Sequence, residues 1–234
     1  MTEESPTGVR PSCSPKERAI APLLASWAEG QGRSFPWREL GTTPFQVLVA
    51  ELLLKRTTAQ AAARIYGQFL GVYPHLDAII SADALDIEKS LQSVGLQRQR
   101  ARGFKAMANF IVDRHAGVIP ADLDSLLEVP QIGEYAARAV MSFGHGIPAA
   151  VVDSNVIRVL GRLFSQTLGE RPTLVQLQKL ADTLLPKQGH QQFNWAVLDL
   201  GALVCRYDHP KCEICPLMAI CDTNHLPDQP FMKS

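Results

Sequence analysis

Apolar residues recur along most of the chain at intervals of three and four, the spacing that gathers them on one face of an α-helix. Ile20, Leu23, Leu24 and Trp27 set this pattern over Arg18–Ala28. The same reading predicts helices over Phe45–Leu54, Ala59–Val72, Leu96–Arg114, Leu123–Glu128, Gly133–Phe143, Ser154–Phe164, Thr173–Leu185 and Gln191–Cys205. Segments such as Gly71-Val72-Tyr73-Pro74, Val118-Ile119-Pro120 and Gly146-Ile147-Pro148 punctuate them, because proline lacks the amide that a helix interior needs. No useful stretch alternates apolar and polar residues as a half-buried strand does, and no segment repeats. The expected fold class is all-α, with the loop Gly144–Pro148 as a candidate seam.

Composition narrows this picture. The chain has 234 residues, 46% hydrophobic and 20% charged, an ordinary globular balance with enough length for one large domain or two modest ones. Its 23 basic and 23 acidic residues cancel, which excludes a broad polycation but leaves room for a local basic face. Residues 1–14 are polar, contain proline and lack an apolar core, so they read as a disordered lead-in and not a signal peptide. The most apolar stretch, Phe45–Leu54, is interrupted by Glu51 and falls well short of the ~20 residues that span a bilayer. A soluble, cytoplasmic protein with no membrane partner is expected.

The sharpest local signal is Cys205-x6-Cys212-x2-Cys215-x5-Cys221. Four thiolates separated by short loops can converge on one centre, and soft sulfur ligands suit zinc or an iron–sulfur cluster. Structural zinc usually takes two close pairs, whereas only the central pair here is close; the wider arms suit a [4Fe–4S] cubane held by four cysteines. Buried structural thiols are the plain alternative. Cys13 stands alone in the lead-in and is expected to take no part.

Three further features carry possible chemistry. Glu51 sits among Val47, Leu48, Val49, Ala50, Leu52, Leu53 and Leu54; if buried, its carboxyl would hold a proton more tightly and suit a donor role, but on an amphipathic helix it would simply face solvent. Lys55, Arg56, Thr57 and Thr58 follow, either a phosphate-contacting group or a solvated helix end. Asp153 ends the apolar run Ala149–Val152 and precedes Ser154-Asn155, the position of a helix N-cap, where helix amides also favour an anion beside a developing positive charge. Val129-Pro130-Gln131-Ile132-Gly133 joins two helical segments by a tight turn in which proline stops the first helix and Gly133 is expected to supply the unusual backbone angle. The amides of the following helix could hold a phosphate. Tyr135 falls on the first turn of that helix, a core aromatic unless it borders a pocket.

In order and spacing, the hairpin 129–133, Asp153 twenty residues after Gly133, and the C-terminal cysteines resemble the endonuclease III-like DNA glycosylases. The resemblance runs from about Arg33 to Cys221 and implies [4Fe–4S] at the cysteines. Phe35-Pro36-Trp37-Arg38 and the run 51–58 resemble the branch holding adenine glycosylases and G/T-mismatch thymine glycosylases. After Gly133-Glu134, bifunctional members place a Schiff-base lysine and adenine glycosylases usually a serine; this chain has Tyr135, as the mismatch thymine glycosylases do. Lys55-Arg56-Thr57-Thr58 resembles the thymine enzymes as well, and the chain stops soon after Cys221, without the extra domain of typical adenine glycosylases. One departure is Gln131, where the family's hairpin usually has glycine.

The resemblance implies a helix-hairpin-helix fold: a six-helix barrel over 39–150 with the hairpin unit at about 123–143, and a cluster domain from 15–38 and 151–225. It implies base-excision repair by a monomer on double-stranded DNA carrying a mismatched or damaged base, with the enzyme at the nucleoid. Asp153 would stabilise the cationic sugar, Tyr135 and Glu51 would line the pocket for a flipped base, and Pro130, Gln131, Ile132 and Gly133 would grip the backbone. Lys55, Arg56, Arg98 and Arg100, with Arg102 and Lys105, would fill the duplex gap or hold phosphates, and Arg206 and Lys211 would lie on the cluster loop. Thymine or uracil opposite guanine is the expected target. Adenine opposite guanine or 8-oxoguanine, and a non-catalytic iron–sulfur DNA-binding protein, are the alternatives.

Overall fold

The computed structural model describes residues 14–39 and 41–225. The lead-in, apart from Ser14, and Cys13 lie outside the described residues. Among the described residues there is no strand, so the all-α expectation holds. The described residues form twelve α-helices in order: α1 (Pro15–Gln31), α2 (Pro44–Leu54), α3 (Ala59–Val72), α4 (Leu76–Ser81), α5 (Ala84–Ser90), α6 (Gln97–His115), α7 (Leu123–Glu128), α8 (Glu134–Ala139), α9 (Ser154–Leu163), α10 (Ser165–Leu168), α11 (Leu174–Leu184) and α12 (His190–Leu203). None is long and apolar enough to cross a membrane. The described residues divide into two compact units, Ser34–Ile147 and a second made of 14–33 together with 148–225.

In the unit Ser34–Ile147, α2 is buried along almost its whole length. Thr43 starts it with a capping box: its hydroxyl accepts the Gln46 amide at 3.3 Å and the Gln46 side chain accepts the Thr43 amide at 2.8 Å. This reciprocal pair satisfies two donors that a helix start leaves open. Every residue from Phe45 to Leu53 except Gln46 is buried, Leu48, Val49 and Leu53 completely. A helix apolar on all sides needs cover on all sides, and α3, α6, α8 and a π-helical turn over Val140–Gly144 supply it. That turn is why the expected helix Gly133–Phe143 is broken: α8 ends at Ala139 and the backbone widens into the π form. Its last residue must be glycine, since a Cβ on Gly144 would come within 2.6 Å of Pro44 Cα.

In the other unit, α1, α9, α11 and α12 pack about Ile20, Leu24, Val156, Leu160 and Leu177. The extended segment Ala149–Val152 is held by side-chain amides: Asn194 accepts the Val151 amide at 3.2 Å and donates to the Ala149 carbonyl at 2.9 Å, and Gln178 donates to the Ala150 carbonyl at 3.1 Å. Asp199, 1% exposed, accepts both the backbone amide and the Nε of Arg33 at 2.7 Å. That bidentate clasp fixes the chain just before it leaves for the other unit.

Candidate functional site

Two turns and a buried acid make up the first group. Glu51 lies on α2 and is 7% exposed, so the buried alternative is the one observed. Tyr135, half-buried, lies on the first turn of α8, which packs against α2. At the end of α2, three residues past Glu51, the chain turns: the Thr57 amide donates to the Leu54 carbonyl at 3.1 Å, Lys55 sits at φ −56°, ψ 115° and Arg56 at φ 54°. This is a type II turn, whose third position normally takes glycine because φ is positive there. The hairpin repeats the arrangement. The Ile132 amide donates to the Val129 carbonyl at 3.1 Å, Pro130 takes the second position and Gln131 the third at φ 73°.

The unusual angle therefore belongs to Gln131 and not to Gly133, which has φ −101°, ψ 178° and caps α8 from an ordinary extended conformation. Proline sets the frame of the turn, and the residue after it must adopt the left-handed geometry. Two contacts hold Gln131 there. The Lys55 ammonium donates to the Gln131 carbonyl and, at 3.3 Å, to its Oε1. The Gln131 side chain also lies over α6 where Gly103 is bare; a Cβ on Gly103 would meet Gln131 Cγ at 3.1 Å. Burial, then the Arg100 charge, lower the Lys55 pKa, with Glu51 acting in the opposite direction.

The basic run on α6 separates into two sets. Arg98, 81% exposed and 3.6 Å from the Glu88 carboxylate, and Arg102, also exposed, border a shallow depression with Gln99, Gly103, Ala106 and Gln131. Arg100 points the other way, as a residue two positions along a helix must, and is 7% exposed. Its Nε donates to the Gly95 carbonyl at 2.9 Å, its Nη1 to the Leu52 and Leu53 carbonyls at 2.5 and 3.1 Å, and its Nη2 to the Lys55 carbonyl at 2.5 Å and to the Thr57 hydroxyl. A guanidinium has five N–H donors, and these five acceptors use them all. Arg100 thus has none left for a phosphate, a correction to its grouping with Arg98. Lys105 donates to the Ile80 carbonyl at the end of α4 at 2.9 Å, with one of its three donors.

Asp153 is the N-cap of α9, as its sequence position indicates. Oδ1 accepts the amides of Asn155 and Val156, each at 2.8 Å, and Oδ2 accepts the Asn155 side-chain amide at 2.8 Å. The carboxylate is half-exposed and its direction is fixed by three donors. Asn155 is fixed in turn: its Oδ1 accepts Arg158 Nη2 at 2.8 Å, while Arg158 also donates to the carbonyls of Gly201 and Cys205 at 2.7 Å. The sequence reading missed Asn155 and Arg158. Their separation of one helical turn, starting just inside the Asp153 cap, is the signal that carried them.

Past Cys205 the chain makes short 3-10 turns at Cys212–Ile214 and Met218–Ile220, the first capped by Cys215 and the second by Cys221. None of Cys205, Cys212, Cys215 and Cys221 is in a disulfide. Burial pushes Cys215 up to about 11, and the charges of Cys205, Cys221 and Cys212 add to it. Burial, then Cys205 and Cys221, raise Cys212 in the same way. Arg162, 7% exposed, donates to Cys205 Sγ at 3.4 Å and to the carbonyls of Arg206 and Tyr207 at 2.6 and 3.0 Å. Among the described residues no group of three or more His, Cys, Asp or Glu is drawn close enough to hold a metal ion. Arg206 and Lys211 are exposed on this loop.

Residues 49–186 match the family model described as the HhH-GPD superfamily of base excision DNA repair proteins, and the chain belongs to that superfamily. A thymine/uracil-DNA glycosylase of Methanothermobacter thermautotrophicus is 33% identical over 206 residues, 86% of this chain and 91% of that protein. An adenine DNA glycosylase of Mycolicibacterium smegmatis is 33% identical over 200 residues, 85% of this chain and 68% of that protein. A thermostable thymine-DNA glycosylase of known structure superposes with a TM-score of 0.85 at 31% identity, covering 89% of this chain and 96% of that one.

Proposed function

We propose that this protein is a monofunctional DNA glycosylase that hydrolyses the N-glycosidic bond of thymine or uracil paired with guanine in duplex DNA. The observation that carries the chemistry is Asp153, a half-exposed carboxylate whose direction three N–H donors fix. Cleavage of the bond develops positive charge at C1′ of the sugar, and a carboxylate already aimed at that charge stabilises it without reorganising. The same group orients the attacking water. A stacked base is out of reach, so the nucleotide is flipped at a cost of a few kcal/mol, which a mismatch lowers. Glu51 and Tyr135 receive the flipped base, Glu51 as hydrogen-bond partner or proton donor. Tyr135 stands where a Schiff-base lysine would make the enzyme cut the strand, so release by water without nicking follows.

The hairpin residues Pro130, Gln131, Ile132 and Gly133 hold the DNA backbone, and Arg56, Arg98 and Arg102 supply positive charge to it. The enzyme acts as a monomer. Cys205, Cys212, Cys215 and Cys221 are read as the ligands of a [4Fe–4S] cluster, which their donor chemistry supports: the set is purely thiol, none is in a disulfide, and Arg162 directs an N–H at one sulfur. Such a cluster would tie the loop 205–221 together and keep Arg206 and Lys211 available to DNA. Adenine release is the second reading, favoured by Glu51, whose buried carboxyl suits protonation of a departing purine, and by the similarity to adenine glycosylases.

The test is base release from duplexes carrying single G·T, G·U, A·G and A·8-oxoguanine pairs, comparing the native chain with Asp153→Asn, with and without alkali. Thymine and uracil loss opposite guanine, with strand breaks only after alkali and none in the variant, is expected. Adenine loss would move the protein to the second reading, and release that survives Asp153→Asn would sink the mechanism.

A further inference from the structure

Arg56 and Arg100 are opposites in every respect but charge. Arg56 stands at the exposed tip of the turn 54–57, at φ 54°, with no hydrogen-bond or ion-pair partner among the described residues. Arg100 is buried and spends all five donors, and four of its acceptors are Leu52, Leu53, Lys55 and Thr57. Two of these lie on the last turn of α2, where carbonyls lack helical partners; the other two flank Arg56 on either side. The far side of the same turn is tied down by the Lys55 ammonium on Gln131. A non-glycine residue in the left-handed region persists only where its surroundings over-determine it, and such residues gather at functional sites.

We propose that Arg100 is a positioning residue: its guanidinium braces the turn 54–57 so that Arg56 is presented, in its left-handed conformation, to the DNA. This inference rests on the reading of the protein as a DNA glycosylase. It assigns Arg100 no contact with DNA; Arg100 acts through Arg56. Lysine cannot replace it, because an ammonium offers three donors from one point where five are needed from a planar fork.

The experiment is a double-mutant cycle on the full chain, reading single-turnover base release and the Kd for a G·T duplex. Arg56→Ala and Arg100→Lys are each expected to weaken binding about tenfold, and Arg100→Lys in the Arg56→Ala background to add less than about twofold, since both remove one coupled effect. An equal cost of Arg100→Lys in both backgrounds would overturn the proposal, because a purely structural role multiplies independently of Arg56. So would unaltered binding by Arg56→Ala. Should Arg100→Lys lose its cooperative thermal transition, Thr57→Val, which removes one acceptor, takes its place in the same cycle. If the native chain released no base from any duplex, the glycosylase reading would fail, while the Kd cycle would still decide the bracing.

Discussion

Asn155 donates its side-chain amide to Asp153 Oδ2 at 2.8 Å while its own backbone amide donates to Oδ1 of the same carboxylate at the same distance. One residue thus grips both oxygens, and the carboxylate cannot rotate without breaking a bond to it. Asn155→Ala removes the side-chain half of that grip. Base release is expected to fall about tenfold to a hundredfold through lost positioning, with binding of the duplex little changed. Asp153→Asn is expected to abolish release yet lower the thermal midpoint only slightly, because its one amide oxygen still caps the helix and only the bond from the Asn155 side chain to Oδ2 is lost. A large drop in stability for Asp153→Asn would show that the residue serves the fold more than the reaction.

Much of this arrangement was legible in the sequence, and the parts that were not have physical reasons. α3 and α7 have the bounds their apolar spacing predicts, and Asp153 caps α9 where an acid between an apolar run and a helix should. The helices α4 and α5, at six and seven residues, complete fewer than two turns, too few for a period to register. The π-turn after α8 obeys no pattern that an α-helical period can reveal. Arg100 was misread because every second residue of Arg98–Arg102 is basic; only the helical rotation between neighbours separates the exposed pair from the buried one. Gln131 was misread for a subtler reason. A nearby glycine suggested where the strained angle would fall, yet Pro130 fixes the turn's frame so that the angle falls two residues before Gly133.

Cluster binding predicts about four iron and four sulfide per chain, with broad visible absorption. Cys212→Ser and Cys215→Ser are expected to lose most of that iron and to unfold at a lower temperature, whereas Cys13→Ser should match the native chain. Metal analysis and absorption spectra of the purified variants check this. One zinc per chain and a colourless protein would replace the cluster with a mononuclear site.

The hairpin prediction separates strain from contact. Gln131 holds φ 73°, which costs a residue with a Cβ about 1 kcal/mol that glycine avoids. Gln131→Ala keeps the strain and the Lys55 bond to the backbone carbonyl but loses the Lys55 bond to Oε1 and the packing on Gly103, so it should destabilise the fold by about 1 kcal/mol. Gln131→Gly loses the same contacts but sheds the strain, so it should lie close to the native chain. Urea unfolding of the three proteins decides the matter, and equal stability for the alanine and glycine variants would mean that the turn carries no strain.

Tyr66 makes the alkaline limit of stability predictable. Burial, then the nearby Glu39 carboxylate, push its hydroxyl to about 12, against ~10 in an unfolded chain. The folded state therefore keeps its proton where the unfolded state has lost it. The stability Tyr66 contributes is full below pH 10 and is lost as pH rises toward 12, because unfolding then releases a proton and gains from alkali. Tyr66→Phe cannot ionise in either state. At neutral pH it should cost about 1 kcal/mol through the lost hydrogen bond, which the hydroxyl donates to the Gln46 carbonyl at 3.2 Å. Above pH 10 that deficit should shrink and then reverse, since only the native chain still destabilises through this group. Urea midpoints of the two proteins between pH 7 and 11.5 test the crossing. A difference that stays constant over the whole range would show that the hydroxyl titrates alike in the folded and unfolded states, and that it is not shielded between α2 and α3.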